Sequence, residues 1–341
     1  MTKIVWMLAA ALLAFAPFTQ SHAEGCAKPP SSPLVVNVTD KGAKGDGKTS
    51  DTAAIKRAID EVGGTGGTVF VPDGTYLVTT IGKGRLALKS NMTLKLAPRA
   101  TLKAIPNGAK NYSVLRISKA SDATIEGGTL FGDRAEHKSK GGERGMGLHI
   151  GPDAERITVS RLTTKEMWGD GFYVSGAADV TFCFVTADHN RRQGLSIINA
   201  KRVLVTDSLF TNTRGTDPSA GIDLEPNKSE HSISNIRIEN SKFINNAGGG
   251  IEIAGKRGRI SDVAITRNVF RETRPILVEN APAVLSTKIC DNRSIAWQNP
   301  SPEGLNTYAD TVDVVSLQMD CRQQRDLRFE VKRQKNKKKE D

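Results

Sequence analysis

Five times in the second half of the chain a glycine opens a segment of the form Gly, apolar, variable, apolar. The segments are Gly147-Leu-His-Ile150, Gly171-Phe-Tyr-Val174, Gly194-Leu-Ser-Ile197, Gly221-Ile-Asp-Leu224 and Gly250-Ile-Glu-Ile253, with the glycines 24, 23, 27 and 29 residues apart. A repeat in that range predicts a solenoid, in which each unit buries its apolar face only by stacking on its neighbours. In a strand, alternate residues face opposite ways. Stacking therefore turns the apolar residues inward and aligns the variable ones in an outward column: His149, Tyr173, Ser196, Asp223 and Glu252.

A second repeat runs in step with the first. Each glycine segment is followed by an alternating stretch: Arg156-Ile-Thr-Val159, Val180-Thr-Phe-Cys183, Val203-Leu-Val-Thr206, Ile236-Arg-Ile-Glu239 and Val263-Ala-Ile-Thr266. An apolar residue then returns after a polar turn at Phe210, Phe243 and Phe270. Two or three short β-rich strands per coil, separated by turns rich in Gly, Asn, Asp and Ser, predict an all-β parallel β-helix rather than a helical repeat.

Residues 1–23 read as a cleaved secretory signal peptide, with Lys3, the apolar stretch Ile4–Ala16 and the small-residue site Ser21-His-Ala23. No other window approaches the ~20 apolar residues of a membrane span. The expected product is periplasmic or secreted, with one elongated domain over residues 24–321. Residues 322–341 hold nine basic and four acidic side chains and read as a basic, disordered tail. Lys and Arg exceed Asp and Glu by 48 to 37, a formal charge of +11, which favours an acidic polymer as partner. Nucleic acid is not expected, because aromatic residues make up only 5% of the chain and an exported protein rarely meets it. The sequence carries no interface stripe from which to read an oligomeric state.

Four cysteines in an exported chain allow two disulfides in three pairings. Cys183 lies in an alternating apolar stretch and reads as a buried core thiol, whereas Cys290 and Cys321 can staple the irregular C-terminal segment. Cys26 follows Ala23-Glu-Gly25, a poor lipidation sequence. No Cys or His pair has ligand spacing, so neither a metal nor another cofactor is expected, and nothing indicates calcium.

An open stack of strands needs a cap. Ser50 or Asp51 can N-cap a helix that places Ala54, Ile55, Ala58, Ile59 and Val62 on one face and ends at Gly63-Gly64. The cap is expected over about residues 35–66. Around it lie Val38-Thr-Asp-Lys-Gly-Ala-Lys-Gly-Asp-Gly-Lys-Thr-Ser-Asp-Thr-Ala-Ala-Ile-Lys-Arg-Ala58 and Gly67-Thr-Val-Phe-Val-Pro-Asp-Gly-Thr-Tyr76. These stretches resemble the opening segment of the pectate-lyase-like superfamily, specifically its rhamnogalacturonase and epimerase branch, and the resemblance extends over about residues 35–297. It implies a single-stranded right-handed parallel β-helix and a carbohydrate polymer as substrate. It does not imply one reaction, since this fold hosts several chemistries.

Trp168-Gly-Asp-Gly171 is similar to the Asn-Thr-Asp-Gly motif of polygalacturonases and puts Asp170 where they carry a catalytic carboxylate. The remaining polygalacturonase motifs are absent: His189-Asn-Arg-Arg-Gln-Gly194 replaces a paired Asp and Gly221-Ile-Asp223 replaces Gly-His-Gly. Glu166-Met-Trp-Gly-Asp-Gly-Phe172 is similar to the mannuronan epimerase run, but Tyr173 and Ser175 stand where the epimerase has Asp and His.

The column itself offers two chemistries. Asp223 and Glu252 on adjacent coils are expected ~5 Å apart and Asp223 and Glu225 ~7 Å apart, separations that serve both retaining and inverting glycoside hydrolysis, and Asp170 is a further candidate carboxyl. Outward Asp and Glu also occur on strands merely as solubilising groups. Alternatively Tyr173 and His149 can act as acid and base in uronate elimination or epimerisation, with Arg191 or Arg192 clamping the carboxylate. His189 shares that loop, Lys256 extends the positive rim, and Trp168 is placed to stack on a sugar. The expectation is an exported polysaccharide-cleaving enzyme, with hydrolysis favoured over lyase or epimerase chemistry and over a non-catalytic polysaccharide-binding protein.

Overall fold

The computed structural model describes residues 26, 30–82, 85–255, 257–279, 284–296, 311–313 and 321. The stretch read as a signal peptide, the stretch read as a basic tail and Lys256 lie outside them. The described chain is a parallel β-solenoid of about nine turns, built from a 17-stranded sheet and a 10-stranded sheet.

The two sequence repeats stack in register. Leu148, Phe172, Leu195, Ile222 and Ile251 are successive Cα partners, and so are Ile157, Val180, Val203, Ile236 and Val263. All ten side chains are buried inside the coil, each contributing about 1.5–3 kcal/mol of apolar transfer. On the third side Phe210, Phe243 and Phe270 stack at 5.3 and 4.9 Å between centroids. Asn246 satisfies the turns between these strands, accepting from Thr213 N and donating to Phe210 O.

The glycine that opens each repeat answers a crowding problem. A Cβ at Gly147, Gly171, Gly194 or Gly221 would lie 2.4–2.7 Å from the carbonyl oxygen of the equivalent glycine one coil on. None of the four has a positive φ. The constraint is thus the close approach of one coil to the next, not the turn conformation.

The helix Thr52–Val62 forms where the pattern predicts it and buries Ala54, Ile55, Ala58, Ile59 and Val62 against the strands Val35–Asn37, Thr68–Val71 and Leu86–Leu88. Its start differs from expectation. Asp51 occupies the N-cap position but makes no capping bond, because its carboxylate accepts instead from the backbone of Lys44 and Gly45, at 2.6 and 3.1 Å. The cysteines bring a second correction. Cys183 is buried, but it is not a free core thiol: it pairs with Cys26, 157 residues away. Cys290 pairs with Cys321.

Candidate functional site

The variable residues form the column that the repeat predicts. Arg116, His149, Tyr173, Ser196, Asp223, Glu252 and Leu277 are successive Cα partners on neighbouring coils. They point away from the coil interior, yet three of them are not solvated. Ser196, Asp223 and Glu252 are only 0%, 1% and 8% exposed. The segment entering Gly194 brings Gln193 onto Asp223 and Arg192 onto Asp170, which Ser196 also bonds.

Arg192 lies among the carboxyls of Asp170, Asp223, Glu143 and Glu225. Its Nη1 donates to Asp170 Oδ2 at 3.2 Å, and its other nitrogens lie 3.8 Å from Glu225 and 3.9 Å from Glu143. Asp170 is fully buried and also accepts from Ser196 Oγ at 3.1 Å. Gln193 donates from Nε2 to Asp223 Oδ2 at 3.2 Å. The Gln193 carbonyl is held by the Ala220 N–H at 2.9 Å, so its amide can only offer its donor side. Oδ1 of Asp223 is buried and has no hydrogen-bond partner among the described residues.

Burial and like charge raise the proton affinity of this group. Asp170 is pushed up to about 6 by burial, against the pull of Arg192 and Ser196. Asp223 lies well above the usual carboxyl range through burial and then Glu252 and Glu225. Glu252 is pushed up to about 8 by burial and then by Glu279 and Glu225. Burial pulls Arg192 down, but Asp170, Asp223 and the neighbouring glutamates outweigh it and hold the guanidinium charged. Near neutral pH the site thus holds one carboxyl, Glu252, that retains a proton beside another, Asp170, that ionises.

At the other end of the column His149 meets Tyr173 edge-on, 5.1 Å between centroids. His149 is pushed down to about 4 by burial and by Arg116 and Arg85, so it is neutral near pH 7. Burial raises Tyr173, which keeps its proton and weakens it as a base.

The remaining residues singled out in the sequence are engaged elsewhere. The Trp168 indole stacks on His137 at 4.2 Å, carries the Arg191 guanidinium at 3.9 Å and donates from Nε1 to Gly142 O. Arg191 also donates to Gly142 O and Trp168 O, so this arginine braces the loop while its neighbour Arg192 faces the carboxylates. His189 pairs with Asp188, and no hydrogen bond or ion pair among the described residues joins it to the carboxyl group. A cavity of about 400 Å³ is lined by Asn91, Thr93, Asp122, Thr124 and Arg156, among others, but by no member of the column. Among the described residues only Cys290, Asp291 and Cys321 cluster as metal ligands would, and both sulfurs are spent in a disulfide.

Arg116 and Gln193 were missed in the sequence. Arg116 sits in Leu115-Arg-Ile117, the same apolar, variable, apolar pattern, but Val114 replaces the opening glycine. Gln193 immediately precedes Gly194 and carries no pattern of its own.

Residues 35–265 match the family described as rhamnogalacturonase A/epimerase, pectate lyase-like. The uncharacterized protein YclG of Bacillus subtilis is 26% identical over 253 residues, 64% of this chain and 43% of that protein. The mannuronan C5-epimerase AlgE6 of Azotobacter vinelandii is 35% identical over 148 residues, 40% of this chain and 17% of that protein. Among solved structures, the hyperthermoactive exopolygalacturonase of Thermotoga maritima superposes with a TM-score of 0.57 at 17% identity, covering 80% of this chain and 78% of that one. That likeness is one of fold. The chain spans less than half the length of the curated relatives it matches.

Proposed function

This chain belongs to the rhamnogalacturonase A/epimerase, pectate lyase-like family, and on that premise we propose that it is an exported enzyme hydrolysing glycosidic bonds of an acidic polysaccharide. The observation that carries the proposal is the buried group of Asp170, Asp223 and Glu252 around Arg192, whose proton affinities are spread apart. Such a spread lets one carboxyl act as acid while another acts as base. The Asp223 and Glu252 pair keeps a proton near neutral pH and delivers it to the leaving glycosidic oxygen as the bond to the anomeric carbon breaks. Asp170, ionised and held by Arg192 and Ser196, takes the proton of the water that attacks that carbon. Glu225, at the half-exposed rim, keeps Arg192 in place. The steps run on side chains alone. Export is supported by the two disulfides, and an acidic substrate by the net charge of +11. The same reading takes the solenoid as right-handed and the helix Thr52–Val62 as its cap, supported by that helix's apolar face lying on the first coil.

Uronate elimination or epimerisation at Tyr173, His149 and Arg191 is the second reading. The contact of His149 with Tyr173 and the likeness to a mannuronan C5-epimerase favour it. Incubation with acidic and neutral polysaccharides, reading reducing ends and unsaturated-uronate absorbance in parallel, separates the two. Reducing ends without absorbance support hydrolysis. Rising absorbance means elimination, and binding with neither signal leaves an epimerase or a non-catalytic binding protein.

A further inference from the structure

A second line of outward residues runs beside the column, and the hydrolytic site does not use it. Thr93, Thr124, Thr158 and Thr181 are successive Cα partners on four neighbouring coils. All four line the cavity of about 400 Å³ that no member of the column enters. Thr158 shares a coil with His149 and Thr181 shares the next with Tyr173, whereas Asp223 and Glu252 lie two and three coils beyond Thr181. The cavity is therefore displaced from the carboxyl group both along the solenoid and around it.

The lining states what kind of occupant fits. Thr93 is only 6% exposed and the other three threonines are half-buried, yet among the described residues no side-chain hydrogen bond engages any of their hydroxyls. A hydroxyl so far removed from bulk water is costly unless something in the cavity bonds it. The charges at the rim are already spent on one another. Arg156 holds Asp122 in a two-pronged bond at 2.8 Å on each side, and Arg202 holds Asp179, so an anion finds no unpaired cation there. An apolar ligand finds little surface either, since Pro30 and Met92 are the only apolar residues among the described lining. Ser31 closes one end by donating to Asn91 Oδ1 at 3.4 Å. What remains is a neutral, polyhydroxylated ligand, whose groups donate and accept as threonine hydroxyls do. The hydroxyls recur at one strand spacing, ~4.8 Å, which is close to the rise of an extended glycan per sugar.

We propose that the groove over Thr93, Thr124, Thr158 and Thr181 is a second glycan-binding site, separate from the column, that takes a neutral stretch of sugar chain. The chain lies along the solenoid axis. Three strand spacings, about 14 Å, hold roughly two to three sugars, each meeting a threonine hydroxyl, while the Asp122 and Arg156 pair bonds hydroxyls at the rim. A polymer anchored here remains on the molecule while another part of it reaches the column, which raises its effective concentration there. The assignment is independent of the chemistry at Asp223.

The test is calorimetric titration of the disulfide-bonded protein with β-1,4-linked hexasaccharides of xylose, glucose, mannose and galactose, and with an oligogalacturonate as the charged comparison. Binding of at least one neutral probe is expected, and that probe names the sugar. Thr124→Val combined with Thr158→Val keeps the shape and branching of both side chains and removes only their hydroxyls. It is expected to weaken the neutral probe about tenfold or more, with oligogalacturonate binding and melting temperature unchanged. Thr181→Lys, at a half-buried position, lays a long side chain across the groove and is expected to weaken the same probe, which keeps the test decisive if the double variant folds poorly. No binding of any neutral probe overturns the assignment. Unchanged neutral binding in both variants overturns it too, as does a loss that oligogalacturonate binding shares equally. Asp223→Asn should leave neutral binding as it is. If it does so and also retains turnover, the groove stands and the hydrolytic reading falls.

Discussion

Asp223 and Glu252 are Cα partners on neighbouring coils, and both carboxyls are buried. Two acids held one strand spacing apart, ~4.8 Å, disfavour ionising together, and the second one to ionise does so only at raised pH. Gln193 fixes one oxygen of Asp223, the other has no partner among the described residues, and that second oxygen is where a transferable proton belongs.

Asp223→Asn keeps the size of the side chain and a group that Gln193 can still bond. Turnover is expected to drop by about 10²- to 10⁴-fold with polymer binding retained. Reducing-end release and a binding titration on the same preparation check this, and unchanged release sinks the assignment of Asp223.

The pH dependence of turnover is expected to be bell-shaped. Asp170 must be ionised and gains its proton as pH falls through about 6. Glu252 must be protonated and loses its proton as pH rises through about 8. Initial rates across pH 4.5 to 9.5 test this, and a rate still climbing above pH 9 contradicts it.

The same shifts set stability. Asp170 and Glu252 have folded-state proton affinities above their unfolded values of 3.8 and 4.5. Their stabilising contribution is therefore complete below about pH 4 and is lost as pH rises through about 6 and then about 8. Glu252→Gln removes the later loss. Melting temperatures measured from pH 5 to pH 9 should fall less steeply in this variant than in the unaltered protein, and parallel slopes would count against the shift.

Arg192 neutralises the group, and its side chain is 13% exposed. Arg192→Met leaves the Asp170 carboxylate buried without its cation, at a cost of about 3–5 kcal/mol near pH 8. The cost should shrink at pH 5, where the carboxyls accept protons. Urea unfolding at the two pH values checks the difference, and an equal loss at both would mean that Arg192 acts through packing alone.

Gly194→Ala drives a methyl to 2.4 Å from the Gly221 carbonyl oxygen. The expected loss is about 1–3 kcal/mol. Gly141→Ala, whose methyl would meet nothing nearer than 3.9 Å, serves as the control, and equal melting temperatures for the two variants would refute the crowding argument.

The solenoid and the order of its column were legible because they depend on local rules. Alternation with a period of two sets which residues face inward, and near-equal glycine spacing sets which residues become partners, so the line from His149 to Glu252 follows from the sequence alone. The opening segment around Val38 to Tyr76 likewise carried the family. Other features depend on what one coil lays over another, and no local pattern encodes that. Cys183 alternates like a core residue, yet it meets Cys26 across 157 residues. Arg191 and Arg192 are adjacent in sequence, but one braces Trp168 while the other enters the carboxyl group. Asp223 and Glu252 face outward by their alternation, and only packing against neighbouring segments, Gln193 on Asp223 among them, takes them out of water. Facing is a property of the strand, whereas burial is a property of its neighbours, and burial is what raises these proton affinities.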